Sequence, residues 1–224
     1  VYYVHAFMQL PPENRDDVNF VVPTGNFGNV FAGWMIHQMG LPVDQFIVST
    51  NQNDTLCRLF NTGEYKPETV TPSYAPSMDI QVASNFARFL YYHNEKNADK
   101  TLSQMAQFMA EGSIDVPNFT ASNFEATACS DKEIIENIKM VKAEFDYLVC
   151  PHTACAFQDI DLNKTNVVLA TAPPAKFPEV MKKALGEAPT ADALEALKKK
   201  KIVNYPIDAR ARVVHRGVGC HARA

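Results

Sequence analysis

The chain has no C-x-x-C pair, no H-E-x-x-H or comparable histidine spacing, and no apolar run long enough to span a bilayer. Each absence removes a class of protein. Its five cysteines, Cys57, Cys129, Cys150, Cys155 and Cys220, are odd in number. Neither a disulfide framework nor a zinc site is indicated, and buried reduced thiols in a cytoplasmic protein are expected. The six histidines are scattered, so no metal is expected. The nucleotide loops G-x-x-x-x-G-K-[ST] and G-x-G-x-x-G are missing too. A formal net charge of −4 with 21% charged residues carries no basic excess for nucleic acid and is too mild for disorder. No signal peptide, internal repeat or membrane segment is visible. With 224 residues, 46% of them apolar, the chain can build one sizeable core or two small ones. It opens on the core-like Val1-Tyr2-Tyr3-Val4-His5, without an initiator Met, which suggests that something upstream is missing.

What is present centres on Val21-Val22-Pro23-Thr24-Gly25-Asn26-Phe27-Gly28-Asn29. Phe20 to Pro23 reads as a buried strand. Val30, Phe31, Trp34 and Met35 then take helical spacing, ending near Gly40 as a C-terminal cap. A Gly/Asn turn between strand and helix leaves backbone N–H groups converging on one spot, and the helix dipole adds positive potential there. Gly25 and Gly28 are expected to supply conformational freedom and a close approach for an anion. The turn suits a phosphate dianion, although such turns are also common without a ligand.

Strand and helix signals alternate along the rest of the chain, which argues for parallel βαβ units. Gln45 to Thr50 reads as a strand. A helix over Ile80 to Tyr92 is expected, with Val82, Phe86, Phe89 and Leu90 on one face and Ser77 as N-cap. A shorter helix is expected over Leu102 to Ala110, aligning Leu102, Met105, Ala106 and Met109. The best-signalled helix is Asp131 to Phe145: Ser130 and Glu133 form a capping box, and Ile134, Ile138, Val141 and Phe145 a buried stripe. Tyr147 to Cys150 and Asn166 to Thr171 read as strands, and Pro178 to Leu185 and Ala191 to Lys200 as helices. Lys198 to Lys201 suits a solvated helix end. Beyond it, a tail with Arg210, Arg212, Arg216 and Arg223 shows no periodicity.

At this point Pro23-Thr24-Gly25-Asn26-Phe27-Gly28-Asn29 resembles the cofactor loop of the threonine synthases, in the branch with the fungal and many bacterial enzymes. Further blocks fall in the family's order. They are Gly40 to Asp44, Thr50-Asn51-Gln52-Asn53-Asp54, Pro76 to Phe86, Pro151-His152-Thr153-Ala154 and Leu169 to Phe177. The resemblance covers roughly residues 1–185. It implies an α/β fold with a mostly parallel sheet flanked by helices, of the tryptophan-synthase-β-like fold type II, here incomplete. Residues 1–186 would form the C-terminal part of the catalytic domain, and 187–224 a C-terminal helix with an unrecognised basic tail.

The resemblance also implies pyridoxal 5'-phosphate as cofactor, its phosphate on Gly25, Asn26, Phe27, Gly28 and Asn29, and Thr153 beside the pyridine nitrogen. A hydroxyl can donate to a neutral ring nitrogen but cannot hold it as pyridinium, as an aspartate would. Asn51, Asn53, Ser77 and Asp79 lie at strand or helix ends, as candidates for substrate contact or equally as turn and cap residues. His152 reads as a packed core histidine. The implied reaction takes O-phospho-L-homoserine and water to L-threonine and phosphate. Two other readings stay open: a related phospho-lyase giving a 2-oxo acid, and a non-catalytic binding module.

The departures are as informative. The family's cofactor-bearing lysine lies upstream of the loop, in an N-terminal half that this chain does not contain. Neither Lys66, Lys132 nor Lys198 to Lys201 follows its pattern. Pro173 stands where the family has histidine. The chain alone is therefore expected to be inactive, with the missing half as its partner.

Overall fold

The computed structural model describes residues 1–117, 119 and 123–204. Contacts within the chain separate a unit of residues Val1–Pro189 from a second that begins at Thr190. The first unit runs α1 (Tyr2–Gln9), β1 (Val18–Pro23), α2 (Gly28–Gln38), β2 (Phe46–Asn51), α3 (Thr55–Thr62), β3 (Glu64–Tyr65), α4 (Phe86–His93) and α5 (Ala98–Glu111). It continues with β4 (Ile114–Asp115), β5 (Phe124–Cys129), α6 (Asp131–Phe145), α7 (Pro151–Ala154), β6 (Thr165–Val168) and α8 (Pro178–Leu185). In the second unit the described residues carry α9 (Asp192–Lys198), and Lys198 to Lys201 are exposed. The rest of the basic tail lies outside the described residues.

Among the described residues, four parallel strands pair in the order β5-β2-β1-β6, and β3 pairs with β4 antiparallel. Every residue of β1 and β2 is buried. This explains why both read as short continuous apolar runs, as strands covered on both faces do. On one face Phe20, Val22, Phe46 and Val48 meet Tyr3 and Phe7 from α1 and Leu56, Leu59 and Phe60 from α3. On the other, Val21 and Ile47 meet Ala156. A further cluster joins Ile134, Ile138 and Val141 of α6 to Met181 and Ala184 of α8. Because all four strands run the same way, their C-terminal ends deliver Thr24, Asn51, Ser130 and Leu169 to one edge of the sheet. That edge is where parallel α/β sheets place ligands.

The structure corrects several expectations. The helix expected from Ile80 begins at Phe86, and its N-cap is Asn85, not Ser77. The Asn85 amide and side-chain Nδ2 both donate to the Asn26 carbonyl, at 3.1 and 2.9 Å. Residues 80–85 thus close over the loop instead of coiling, and Val82 is left exposed. On α5 the buried residues are Thr101 and Phe108, while Leu102 and Met109 face outward. Phe145 is exposed past the last buried turn of α6. Tyr147 to Cys150 forms no strand: it is extended chain leading into the Pro151 turn. The last strand is shorter than expected and only half-buried, at the sheet's edge.

Candidate functional site

The loop between β1 and α2 is built by Phe27. It occupies the left-handed region at φ 64°, immediately before the helix, where a bulky residue is strained and must be held in place. Its ring holds it: Phe27 is 1% exposed, with Phe89, Phe60, Phe124 and Phe86 at centroid distances of 5.4 to 6.4 Å. The left-handed conformation expected of a glycine is therefore taken by Phe27, and neither Gly25 nor Gly28 has a positive φ.

The two glycines supply room. A Cβ on Gly25 would stand 3.2 Å from Ile80 Cδ1 and 3.3 Å from both Met78 Cα and the Ser77 carbonyl; on Gly28 it would stand 3.1 Å from Asn85 Nδ2. Among the described residues, the amides of Gly25, Asn26, Phe27, Gly28 and Asn29 donate to no backbone or side-chain acceptor. No side chain caps α2 and no acidic residue sits in its first turn. Five free N–H groups at a bare helix N-terminus form an anion cradle. Tyr3 steadies it from behind, its hydroxyl donating to the Asn29 carbonyl at 3.0 Å and to Asn29 Oδ1 at 3.1 Å.

Contacts lead from the cradle to Thr153. Gly25 lies against Ser77, and the Ser77 amide donates to His152 Nε2 at 3.0 Å. That bond leaves the ring proton of His152 on Nδ1. The ring is 4% exposed and tilts against Phe177 at 4.8 Å, so His152 is the packed histidine expected. Thr153 follows it in α7, 2% exposed. The N-cap of this turn is Cys150, whose sulfur accepts the Thr153 amide at 3.4 Å. Thr153 Oγ1 lies 3.2 Å from Cys150 Sγ and 3.2 Å from Thr171 Oγ1, and it accepts the Thr171 amide at 3.1 Å. Cys150, Thr153 and Thr171 line a cavity of about 450 Å³. The sequence marked Cys150 only as a buried thiol. Burial alone would push that thiol up, but hydrogen bonds from His152, Thr153 and Thr171 outweigh it and hold it at about 6.

The four candidate substrate residues divide. Asn51, Asn53 and Asp79 form an internal network. Asp79 Oδ1 accepts from Asn51 Nδ2 at 2.7 Å, Asn53 Nδ2 at 3.0 Å and Ser73 Oγ at 2.7 Å, and Oδ2 accepts the Ser73 amide at 3.0 Å. The network ties the irregular 71–79 segment to the end of β2. Ser77 is exposed beside Gly25, and its hydroxyl has no protein partner among the described residues. Every lysine among the described residues is exposed. No group of three or more metal-ligating side chains occurs among them. No helix among them is long and apolar enough to cross a membrane.

The parallel α/β sheet thus carries, at its C-terminal edge, an uncapped loop with free amides and, linked to it, a hydroxyl-lined cavity. Residues 151–216 match the family model "Threonine synthase, C-terminal". The chain is 41% identical over 203 residues to a threonine synthase of Pseudomonas aeruginosa, aligning 86% of itself with 43% of that protein. A crystal structure of pyridoxal-phosphate-bound threonine synthase from Brucella melitensis superposes with a TM-score of 0.86 at 36% identity, over 100% of this chain and 50% of that one. Yeast threonine synthase gives 0.82 at 27% identity, over 97% and 50%. The chain belongs to the threonine synthase family and has its α/β fold, and it spans about half the length of the relatives it matches.

Proposed function

We propose that this chain is the cofactor-phosphate half of a threonine synthase, a cytoplasmic enzyme that converts O-phospho-L-homoserine and water to L-threonine and phosphate. The observation that carries the reading is the cradle: five amides without acceptors among the described residues, on a loop where a Cβ at Gly25 would be crowded by Ile80, Met78 and Ser77. The residues present fit pyridoxal 5'-phosphate. Gly25 to Asn29 would hold its phosphate, and Thr153 would stand at the ring nitrogen. When bound, the cofactor supplies the electron sink that an elimination and replacement at carbon requires.

The chain's own residues bind and orient. The loop fixes the phosphate end, and His152 holds the Ser77 amide so that the 76–79 turn closes against Gly25. Ser77, its hydroxyl without a partner among the described residues, is the best placed of the four candidates to meet substrate. We assign Asn51, Asn53 and Asp79 to holding the segment that carries it. A cofactor-bearing lysine needs a desolvated amine of lowered pKa, and the exposed lysines here do not qualify. The activity therefore requires the N-terminal half, as covalent continuation or as partner, and the chain by itself makes no threonine.

The test is an absorbance titration of the chain with pyridoxal 5'-phosphate, followed by borohydride reduction and peptide mapping. Expected is saturable binding that Gly25→Val abolishes, with no single lysine reduced. Threonine should form from O-phosphohomoserine only after co-expression with the N-terminal half of a relative such as the Pseudomonas enzyme. Absence of saturable binding, or binding indifferent to Gly25→Val, overturns the cradle assignment. Turnover by the chain alone overturns the division of labour.

A further inference from the structure

Thr153 Oγ1 has one proton and two lone pairs. One lone pair takes the Thr171 amide at 3.1 Å. The remaining proton and lone pair must be shared between the protein and the cavity, so the direction of that proton decides what Thr153 offers a ligand. Cys150 Sγ stands 3.2 Å away. The Thr153 amide donates to the sulfur at 3.4 Å, the Nδ1 side of His152 faces it at 4.0 Å, and the Thr171 hydroxyl, which can donate or accept, stands at 3.5 Å. The same sulfur and hydroxyls line the 450 Å³ cavity with Leu148, Val149, Ala172 and Pro173.

We propose that Cys150 is a positioning residue that draws the Thr153 hydroxyl proton to its sulfur, so that Thr153 turns a lone pair, not a proton, toward the cavity. The ligand end that this arrangement takes is an N–H donor. Under the cofactor reading above, on which the assignment rests, that donor is a protonated ring nitrogen. The consequence reverses the expectation from sequence, where a lone threonine hydroxyl donates to a neutral ring.

The physical reason is acceptor strength. Hydrogen bonds converging on the sulfur lower the thiol to about 6, which favours its charged form near neutral pH, and a charged acceptor outcompetes a neutral one for a hydroxyl proton. Its negative charge, one hydroxyl behind the ring position, also favours a cationic N–H there. The titratable groups around it are His152 and Cys155, with Tyr147 along the cavity wall, and Cys155 feels the Cys150 charge. Among the described residues, no lysine, arginine or carboxylate lines the cavity.

The experiment uses the 224-residue chain and 4-deoxypyridoxine 5'-phosphate. This probe has the phosphate and the hydroxypyridine ring but no aldehyde, so it needs no lysine. Its absorbance reports ring-nitrogen protonation. Expected is a protonated ring on the wild-type chain near neutral pH and a neutral ring on both Cys150→Ala and Cys150→Ser, with affinity kept within about threefold because the phosphate end is untouched. The near-isosteric serine keeps the test valid if the alanine variant fails to fold. A companion titration follows far-ultraviolet thiolate absorbance, where Thr153→Val should raise the Cys150 midpoint by about one pH unit or more. A bound probe with the same spectrum in all three chains overturns the proposal and leaves the cofactor reading standing. So does a midpoint indifferent to Thr153→Val. Failure of the wild-type chain to bind the probe overturns the cofactor reading and the Cys150 assignment with it.

Discussion

Two helices of this molecule follow parallel strands and start at the same edge of the sheet, yet their N-termini are opposites. At α6 the Ser130 side chain accepts the Glu133 amide at 3.4 Å, and Glu133 Oε2 accepts the Ser130 amide at 2.7 Å and its hydroxyl at 2.6 Å. Asp131 and Glu133 add negative charge to the first turn. At α2 the N-cap is a phenylalanine, with no side-chain cap and no acid in the first turn. Every helix leaves about four orphan amides at its start. One sequence satisfies them locally; the other withholds the cap and keeps the positive pole bare. The proposed anion site is thus written as an omission, and Phe27 holds its strained turn from the core.

The largest way to break that contrast is Phe27→Ala. The ring is fully buried among four other aromatics, and Phe→Ala truncations in cores cost about 3–5 kcal/mol. Urea denaturation should show a loss of that size. The folded fraction should also lose pyridoxal-phosphate binding, because alanine keeps the cost of the left-handed turn without its anchor. A variant that loses stability yet binds normally would show that the loop is shaped from elsewhere.

A sharper test turns α2 partway into α6. Asn29→Asp places a carboxylate in the first turn, isosteric with the amide that Tyr3 already contacts. The helix dipole rewards it with about 0.3–1 kcal/mol of stability. The same charge about 7 Å from a phosphate costs about 2 kcal/mol of binding at an effective dielectric near 20. The melting temperature should rise while affinity for pyridoxal phosphate falls more than tenfold, an effect that salt weakens. Equal affinities for the two chains would mean that the anion does not sit at this helix.

Much of this was legible from sequence because it is local. The β1–loop–α2 unit, β2, α6 with its box, and α8 each carry their signal within about a dozen residues. What failed needed a partner far along the chain. On α5 two stripes overlap, one through Leu102 and Met109 and one through Thr101 and Phe108. Tyr65, stacked on Phe108 at 4.9 Å, selects the second. α3 was missed although Leu56, Leu59 and Phe60 have helical spacing, because the Asn-Gln-Asn-Asp run before it reads as a loop. Ser77 lost its expected capping role to Asn85, which the Asn26 carbonyl recruits. At the site, Thr153 entered as a candidate through the family's order of blocks. Cys150 was passed over, since its significance depends on Thr171, twenty-one residues away.

The smallest effects belong to α6, and they test whether its N-terminus is stability alone. Ser130→Ala removes the cap and should cost about 1 kcal/mol, with no change in pyridoxal-phosphate affinity. Glu133→Gln is subtler, because glutamine can still accept from the N-cap amide. Only the charge is lost, worth about 0.3–1 kcal/mol beside the helix dipole. The hydrogen bonds from the Ser130 hydroxyl and amide, with Lys132 nearby, hold the Glu133 carboxyl below its ordinary value. A carboxyl depressed in the folded state adds stability above its unfolded pKa, about 4.3. That contribution disappears as pH falls through the lower folded value. The wild-type advantage over Glu133→Gln should therefore be flat from neutral pH to about 5 and close progressively below about 4. Thermal melts of both chains across that range measure it directly. An advantage that persists at the acid end would assign the role of Glu133 to packing, and the box would then differ from the bare α2 terminus in shape more than in charge.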